Sequence, residues 1–319
     1  MISGILLTDK PEGLSSFDVV RRVRRALGER KIGHLGTLDP FATGLLPLCL
    51  GEATKLVPYL LPGAKTYRAT IKLGTATDTQ DRTGRVVSQT ETWPSPEQVY
   101  QAAARFVGEI QQVPPMHSAL HYQGERLYQL ARRGETVDLP PRPVTIYRLE
   151  VEEVDLPRVS ITVRCSQGTY IRTLAADLGA VLGCGAHLTA LRRLEVGPFK
   201  VEDALSLAAL EEAAPEARLT RIVPLTACLP GMRQVGVGPE AAGKLRRGQA
   251  LAWPEEGFQP EELVQVLAAG ELLAITRIRS QASGVILAPV RVFAGVALPE
   301  NAVNPTSRMA AGENKMIQE

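Results

Sequence analysis

Aromatic residues are scarce in this 319-residue chain, at 5%, and its four cysteines (Cys49, Cys165, Cys184 and Cys228) form no C-x-x-C pair. That spacing excludes a zinc ribbon or dithiol motif and gives no disulfide framework. Four isolated thiols fit a reducing compartment, so a cytoplasmic location is expected. An excess of charge is also lacking: 36 Lys and Arg face 34 Asp and Glu, for a net charge of +2. A polyanionic partner is permitted by that balance but not demanded. No apolar run reaches the roughly 18 residues of a membrane span, and residues 1–13 lack a basic start before their apolar run, so neither span nor signal peptide is expected. Neither G-x-x-x-x-G-K-[ST] nor G-x-G-x-x-G occurs, so no nucleotide cofactor is indicated, and no G-x-S-x-G elbow is present. His34, His117, His121 and His187 have no metal-ligand spacing, and no metal is expected.

A hydrophobic content of 45% is enough for a substantial core, and the length suggests about two domains. Residues 1–8 read as a buried strand. Ser15 or Ser16 then caps a helix through FDVVRRVRRAL, with Val19, Val23 and Leu27 on one face and Gly28 as its stop. The opposite face carries Arg21, Arg22, Arg24 and Arg25, which reads either as a solvated face or as a phosphate-facing patch. Residues 33–51 read as a Gly-rich loop with a helix or turn beyond it. Residues 66–74 alternate like a strand, 75–84 form a polar loop, 96–106 and 124–134 read as helices, and two alternating strands follow at 143–155 and 158–172. Another helix is expected at 173–183. This mixture lacks regular βαβ spacing, so the expected class is α/β in the α+β sense, with a mixed rather than doubly wound sheet. The expected divisions are a larger mixed domain at 1–210, a small β domain at 222–295, and a disordered tail at 299–319.

Asp39 is the most informative position. It precedes Pro40, which favours an extended backbone, and glycines at 36 and 44 allow close approach of a ligand. Such a carboxylate could act as nucleophile or base, although Asp-Pro in a Gly-rich loop is, taken alone, an ordinary turn. In CSQGTYIRT (165–173), Tyr170 and Arg172 lie two apart on the expected strand, so they are expected to share a face. Arg172 would there ion-pair with a carboxylate and keep it ionised, or make a plain surface salt bridge. Tyr67 offers either a stacking surface for a base or a rim residue. Elementary chemistry alone reaches an α/β protein compatible with RNA binding.

Five segments together carry more. GHLGTLDPFATGLLPLCLGEATK (33–55), KTYRATIKLGTATDTQDRTG (65–84), PPMHSALHYQGERLYQLARRG (114–134), CSQGTYIRTLAADLG (165–179) and HLTALRRLEVG (187–197) resemble, in order, the bacterial tRNA pseudouridine-55 synthases, the TruB family. The likeness runs from about residue 2 to 295. It implies a largely antiparallel central sheet of the pseudouridine synthase type and a C-terminal PUA-like β pseudo-barrel that binds RNA. It places the catalytic aspartate on Asp39, its arginine partner on Arg172, and the tyrosine that stacks on the target uracil on Tyr67. Tyr170 and Leu191 fall on residues lining the base pocket, and His34 on the histidine that contacts the flipped RNA. His121 departs from the family's Lys or Arg, which puts one basic RNA contact in doubt. The implied substrate is the T-loop of tRNA, whose target uridine must be flipped out. The implied reaction has no net redox change or hydrolysis, so no cofactor is expected, nor any obligatory protein partner or guide RNA. A guide-RNA-dependent synthase with the same motifs is the rival enzyme, and a tRNA-binding chaperone without turnover is the rival from another class.

Overall fold

The computed structural model describes residues 2–118, 120–254, 257–281 and 284–293. The tail expected at 299–319, and the last two residues of the expected 222–295 domain, lie outside the described residues.

An eleven-stranded mixed sheet forms the centre. Its long strands are β1 (Gly4–Lys10), β3 (Thr43–Leu50), β4 (Lys65–Leu73), β6 (Arg142–Asp155), β7 (Arg158–Cys165) and β8 (Ala186–Val196), with the shorter β2 (Ile32–His34) and β5 (Gly108–Gln112). The order starts at Leu205–Ser206 and runs β1, β3, β8, β4, β7, β6, β5, while β2 pairs with β3. Among the described residues the pairing is antiparallel except between Leu205–Ser206 and β1 and between β3 and β8. The expected largely antiparallel sheet is therefore found.

The helix or turn expected beyond the Asp39 loop is instead β3, a central strand. Leu46, Leu48 and Leu50 enter one apolar cluster while Leu45 and Cys49 enter the other. A strand buried on both faces is a continuous apolar run, which period alone cannot separate from a buried helix. Residues 124–134 also differ from expectation: a tight hairpin, His121–Tyr122 against Glu125–Arg126, comes first, and the helix is only Leu127–Arg132. Gln123 and Gly124 both have positive φ, at 50° and 91°, the signature of a two-residue hairpin turn.

Helix α1 (Ser16–Leu27) starts with a capping box in which the Ser15 side chain accepts from the Asp18 N–H, and it ends at a left-handed Gly28. Val19, Val20 and Val23 join α2 (Pro96–Ala104) and α3 (Ile171–Val181) in the main cluster on one face of the sheet. Beyond residue 230 a second sheet orders β9 (Gln234–Gly236), β11 (Leu263–Ala268), β12 (Glu271–Gln281), β13 (Gly284–Val292) and β10 (Leu251–Trp253), with α4 (Pro239–Arg246) packed on it. Val264, Val266, Leu273 and Leu287 fill its own core. This five-stranded unit fits the small PUA-like β unit expected there. Its far side is not free: Leu272, Ile275 and Phe293 share a cluster with Val223 of the large sheet and with Leu56 and Leu60 of the helical turns that follow β3.

Close packing fixes the approach of β3 to β8. Gly44 on β3 lies beside Arg193 of β8, with φ at +99°, and a Cβ built there would sit 2.3 Å from the Arg193 carbonyl oxygen. Both the left-handed backbone and the backbone clash oppose any side chain. Gly44→Ala is expected to cost about 2–5 kcal/mol, summing strained φ and overpacking. Urea denaturation checks this, and an unmoved midpoint would contradict the close β3–β8 approach.

Candidate active site

The Asp39 loop leaves β2 and returns through β3, and it is tied down at several backbone atoms. Ser16 Oγ accepts from the Leu38 N–H at 2.9 Å and donates to the Leu38 carbonyl at 3.1 Å. The Pro40 carbonyl accepts from the Gly13 N–H at 2.8 Å and from Lys10 Nζ at 3.2 Å. On the other side Arg193, fully buried, donates from Nε to the Leu45 carbonyl at 2.7 Å and from Nη2 to the Gly36 carbonyl at 3.0 Å. Asp39 thus projects from a turn whose backbone is anchored on both sides, which is how a loop achieves the positional precision that catalysis requires.

Arg172 does reach Asp39, though not from a strand. The β7 ladder ends at Cys165, Gly168 turns the chain at φ +89°, and α3 begins at Ile171. Tyr170 is the extended N-cap of that helix and Arg172 lies in its first turn, so the shared strand face expected for the pair is replaced by a helix start. Glycine at the turn carries the chain out of the sheet, and alternation over two residues could not reveal that. Both side chains still line the same cleft. Arg172 Nε lies 2.9 Å from Asp39 Oδ2 and Nη2 lies 3.4 Å from Oδ1, a two-pronged contact. The guanidinium also donates to the His117 carbonyl at 2.8 Å and the Thr79 carbonyl at 3.2 Å.

Asp81 completes this group, and sequence reasoning missed it. Its Oδ2 lies 3.8 Å from Arg172 Nε, while Oδ1 accepts from the Thr83 N–H and from the Thr79 and Thr83 hydroxyls. Its polar Thr/Asp/Gly surroundings look in sequence like any solvated loop, yet the residue is buried. Two carboxylates therefore share one guanidinium. Burial and the neighbouring Asp81 push the Asp39 carboxyl above the usual carboxylate range, while Arg172 and Lys10 pull it back. The side chain keeps 32% of its exposure through the cleft, so water tempers the effect of burial until a ligand covers it.

The cleft, of about 690 Å³, brings together every residue singled out above as a site candidate. His34 sits on its wall at the end of β2, and burial followed by the Arg193 charge lowers its pKa. Tyr67 stands on β4 opposite Arg193, largely buried; burial raises its hydroxyl pKa and Arg193 opposes that. Leu191 on β8 is opposite Ala69 and adds an apolar wall. His121 is exposed on the hairpin opposite Arg126, and it is Arg126 that lines the cleft. Lys10, Lys65 and Arg193 are further buried cations that sequence reasoning overlooked. Burial brings Lys10 and Lys65 down to about 8 each. A basic residue inside an apolar strand pattern was the available signal for them. A ring, an aliphatic wall and an oriented carboxylate suit a flat heterocycle held against Asp39.

Residues 24–171 match the family described as TruB family pseudouridylate synthase (N-terminal domain), and residues 172–230 match the tRNA pseudouridylate synthase B C-terminal domain. A protein named tRNA pseudouridine synthase B from Ralstonia nicotianae is 45% identical over 307 residues, covering 95% of each chain. Its namesake from Geobacter sulfurreducens is 44% identical over 298 residues, covering 92% of this chain and 95% of its own. Among solved structures, an H/ACA RNP bound to a substrate RNA containing 2′-deoxyuridine matches with a TM-score of 0.71 at 27% identity, covering 94% of this chain and 88% of that one. A Cbf5–Nop10–Gar1 complex matches with a TM-score of 0.70 at 28% identity, covering 91% and 85%. With family models meeting at Arg172 and relatives alike over nearly the whole length, the chain belongs to the TruB family of pseudouridine synthases.

Proposed function

We propose that this chain isomerises one uridine of tRNA, at position 55 in the T-loop, to pseudouridine, with Asp39 as the catalytic carboxylate. The observation that carries this is the Asp39–Arg172 pair, at 2.9 Å, set in the cleft lined by Tyr67 and Leu191. The reaction breaks N1–C1′, turns the uracil, and forms C5–C1′. N1 gains a proton and C5 loses one, so atoms and electrons balance without a redox partner. Asp39 contributes by attack at C6, by attack at C1′, or by removing a sugar proton. In each case it must be ionised, and Arg172 keeps it so and fixes its direction. Tyr67 and Leu191 hold the flipped base, and stacking of about 1–3 kcal/mol offsets part of the flipping cost.

The experiment is the purified chain alone with an unmodified tRNA transcript, scored for pseudouridine at the T-loop. Formation at that position is the expected result. A chain inactive alone but active with added guide RNA would favour the guide-dependent reading, to which the two complexes of similar fold lend some weight. Relatives at 44–49% identity named tRNA pseudouridine synthase B weigh more strongly for the chain acting on tRNA by itself.

Tyr67 gives a second test. Tyr67→Phe keeps the ring and is expected to retain most single-turnover activity, whereas Tyr67→Leu loses at least about fivefold more, the lower end of one stacking contact. Equal loss in both would assign the essential role to the hydroxyl, which lies beside Arg193.

A further inference from the structure

Phe17 is the most exposed phenylalanine described, at 57%, and it lies at the mouth of the catalytic cleft rather than on an unrelated surface. It occupies the first turn of α1, directly after the Ser15–Ser16 corner that pins Leu38 beside Asp39. Its position relative to the reacting centre is therefore set by rigid elements. An exposed ring on a first turn has no packing reason to be there: Val19, Val20 and Val23 already supply the apolar face of α1.

Arg21 and Arg24 follow at i+4 and i+7 on the same helical stripe, with guanidinium carbons 6.0 and 5.8 Å from the Phe17 ring centre. Both guanidinium groups lie over the ring, which still keeps 57% of its exposure and borders the cleft. Arg21 also pairs with Asp18, and Arg24 donates to the Ile32 carbonyl at 3.3 Å, which holds both near the ring. A flat apolar surface backed by two cations matches one nucleotide of single-stranded RNA, with its base on the ring and its phosphates near the arginines. A target nucleotide lifted into the cleft leaves an adjacent base without its stacking neighbour, and that base needs a surface.

We infer that Phe17 is a second base-stacking site, receiving the unpaired base next to the target nucleotide while Arg21 and Arg24 hold its phosphates. The inference rests on the RNA-modifying reading of the cleft. It adds a contact outside the reacting nucleotide, one that any base can make because every base offers a flat face.

The test uses a T-arm hairpin RNA with the fluorescent base 2-aminopurine placed, in separate molecules, at each of the two positions flanking the target uridine. Binding of the wild-type chain is expected to quench one of the two, and Phe17→Ala is expected to abolish that quench. Phe17→Ala should also weaken binding by about ten- to a hundredfold, the loss typical of one base–aromatic stack. Phe17→Trp, which keeps a ring, should restore both signals and shows that the chain still folds. An abasic nucleotide at the quenched position should weaken wild-type binding similarly and leave Phe17→Ala no weaker, because the two changes remove one contact. Wild-type affinity in Phe17→Ala, or fully additive losses in the abasic cycle, would overturn the proposal. These readouts are separate from turnover: absence of pseudouridine with the quench intact would sink the proposed reaction and leave the stacking site standing.

Discussion

Replacing Asp39 by Asn is expected to lower single-turnover pseudouridine formation by several powers of ten while changing tRNA affinity far less. Asn is nearly isosteric, and the loop it sits on is held by Ser16, Lys10 and Arg193 through backbone atoms, so its shape should survive. The amide can neither attack carbon nor take a proton, and each tenfold lost is about 1.4 kcal/mol of transition-state stabilisation. Affinity for RNA comes mainly from phosphate contacts elsewhere. A pH experiment adds a sign. The Asp39 carboxyl lies above its ordinary range, so the folded chain favours its protonated form relative to the unfolded chain. The ionised group therefore costs stability at neutral pH, and that cost disappears as pH falls through the raised value. Asp39→Asn should then unfold at an equal or higher temperature than wild type at pH 7, with the difference narrowing in acid. A variant that keeps turnover would remove Asp39 from the mechanism. A wild-type chain that binds tRNA and never forms pseudouridine would support the chaperone reading.

The parts of this molecule that were legible in sequence are those whose signal is local. Ser15 and Gly28 bracket α1 because caps are short-range chemistry, and the alternation of β4, β6 and β7 shows because each has one buried face. Strand β3 was hidden because it is buried on both faces, and the start of α3 because a single glycine turn at 168 redirects the chain. Within the site, Asp39 stood out through its Gly- and Pro-flanked loop and Tyr67 through its strand, whereas Asp81 did not. Its importance comes from the 3.8 Å to Arg172, a residue 91 positions away in sequence, and no composition carries that. Lys10 and Arg193 were overlooked for a related reason: their partners are backbone carbonyls, which any sequence would supply.

Arg172→Lys is expected to cost about two to three powers of ten in single-turnover rate although it conserves charge. The guanidinium is nine-tenths or more buried and serves two carboxylates and two carbonyls from one planar group: Asp39 at 2.9 Å, Asp81 at 3.8 Å, His117 at 2.8 Å and Thr79 at 3.2 Å. An ammonium is a point charge on a flexible stem. It offers three donors without the planar fork, so it can follow one carboxylate but cannot hold the Asp39 plane while also meeting the 79 and 117 loops. Two consequences separate orientation from charge. If charge alone mattered, Lys would keep Asp39 ionised and the rate would stay near wild type. If orientation matters, the rate falls while the acid limb of its pH profile moves little, because a cation still opposes protonation. Arg172→Met removes both, and there the acid limb should move upward, since burial and Asp81 would act on Asp39 without their main counterweight. Comparing the pH dependence of single-turnover rates in the two variants decides between them. A near-wild-type rate in Arg172→Lys would show that the fork geometry is dispensable and that Arg172 acts through its charge alone.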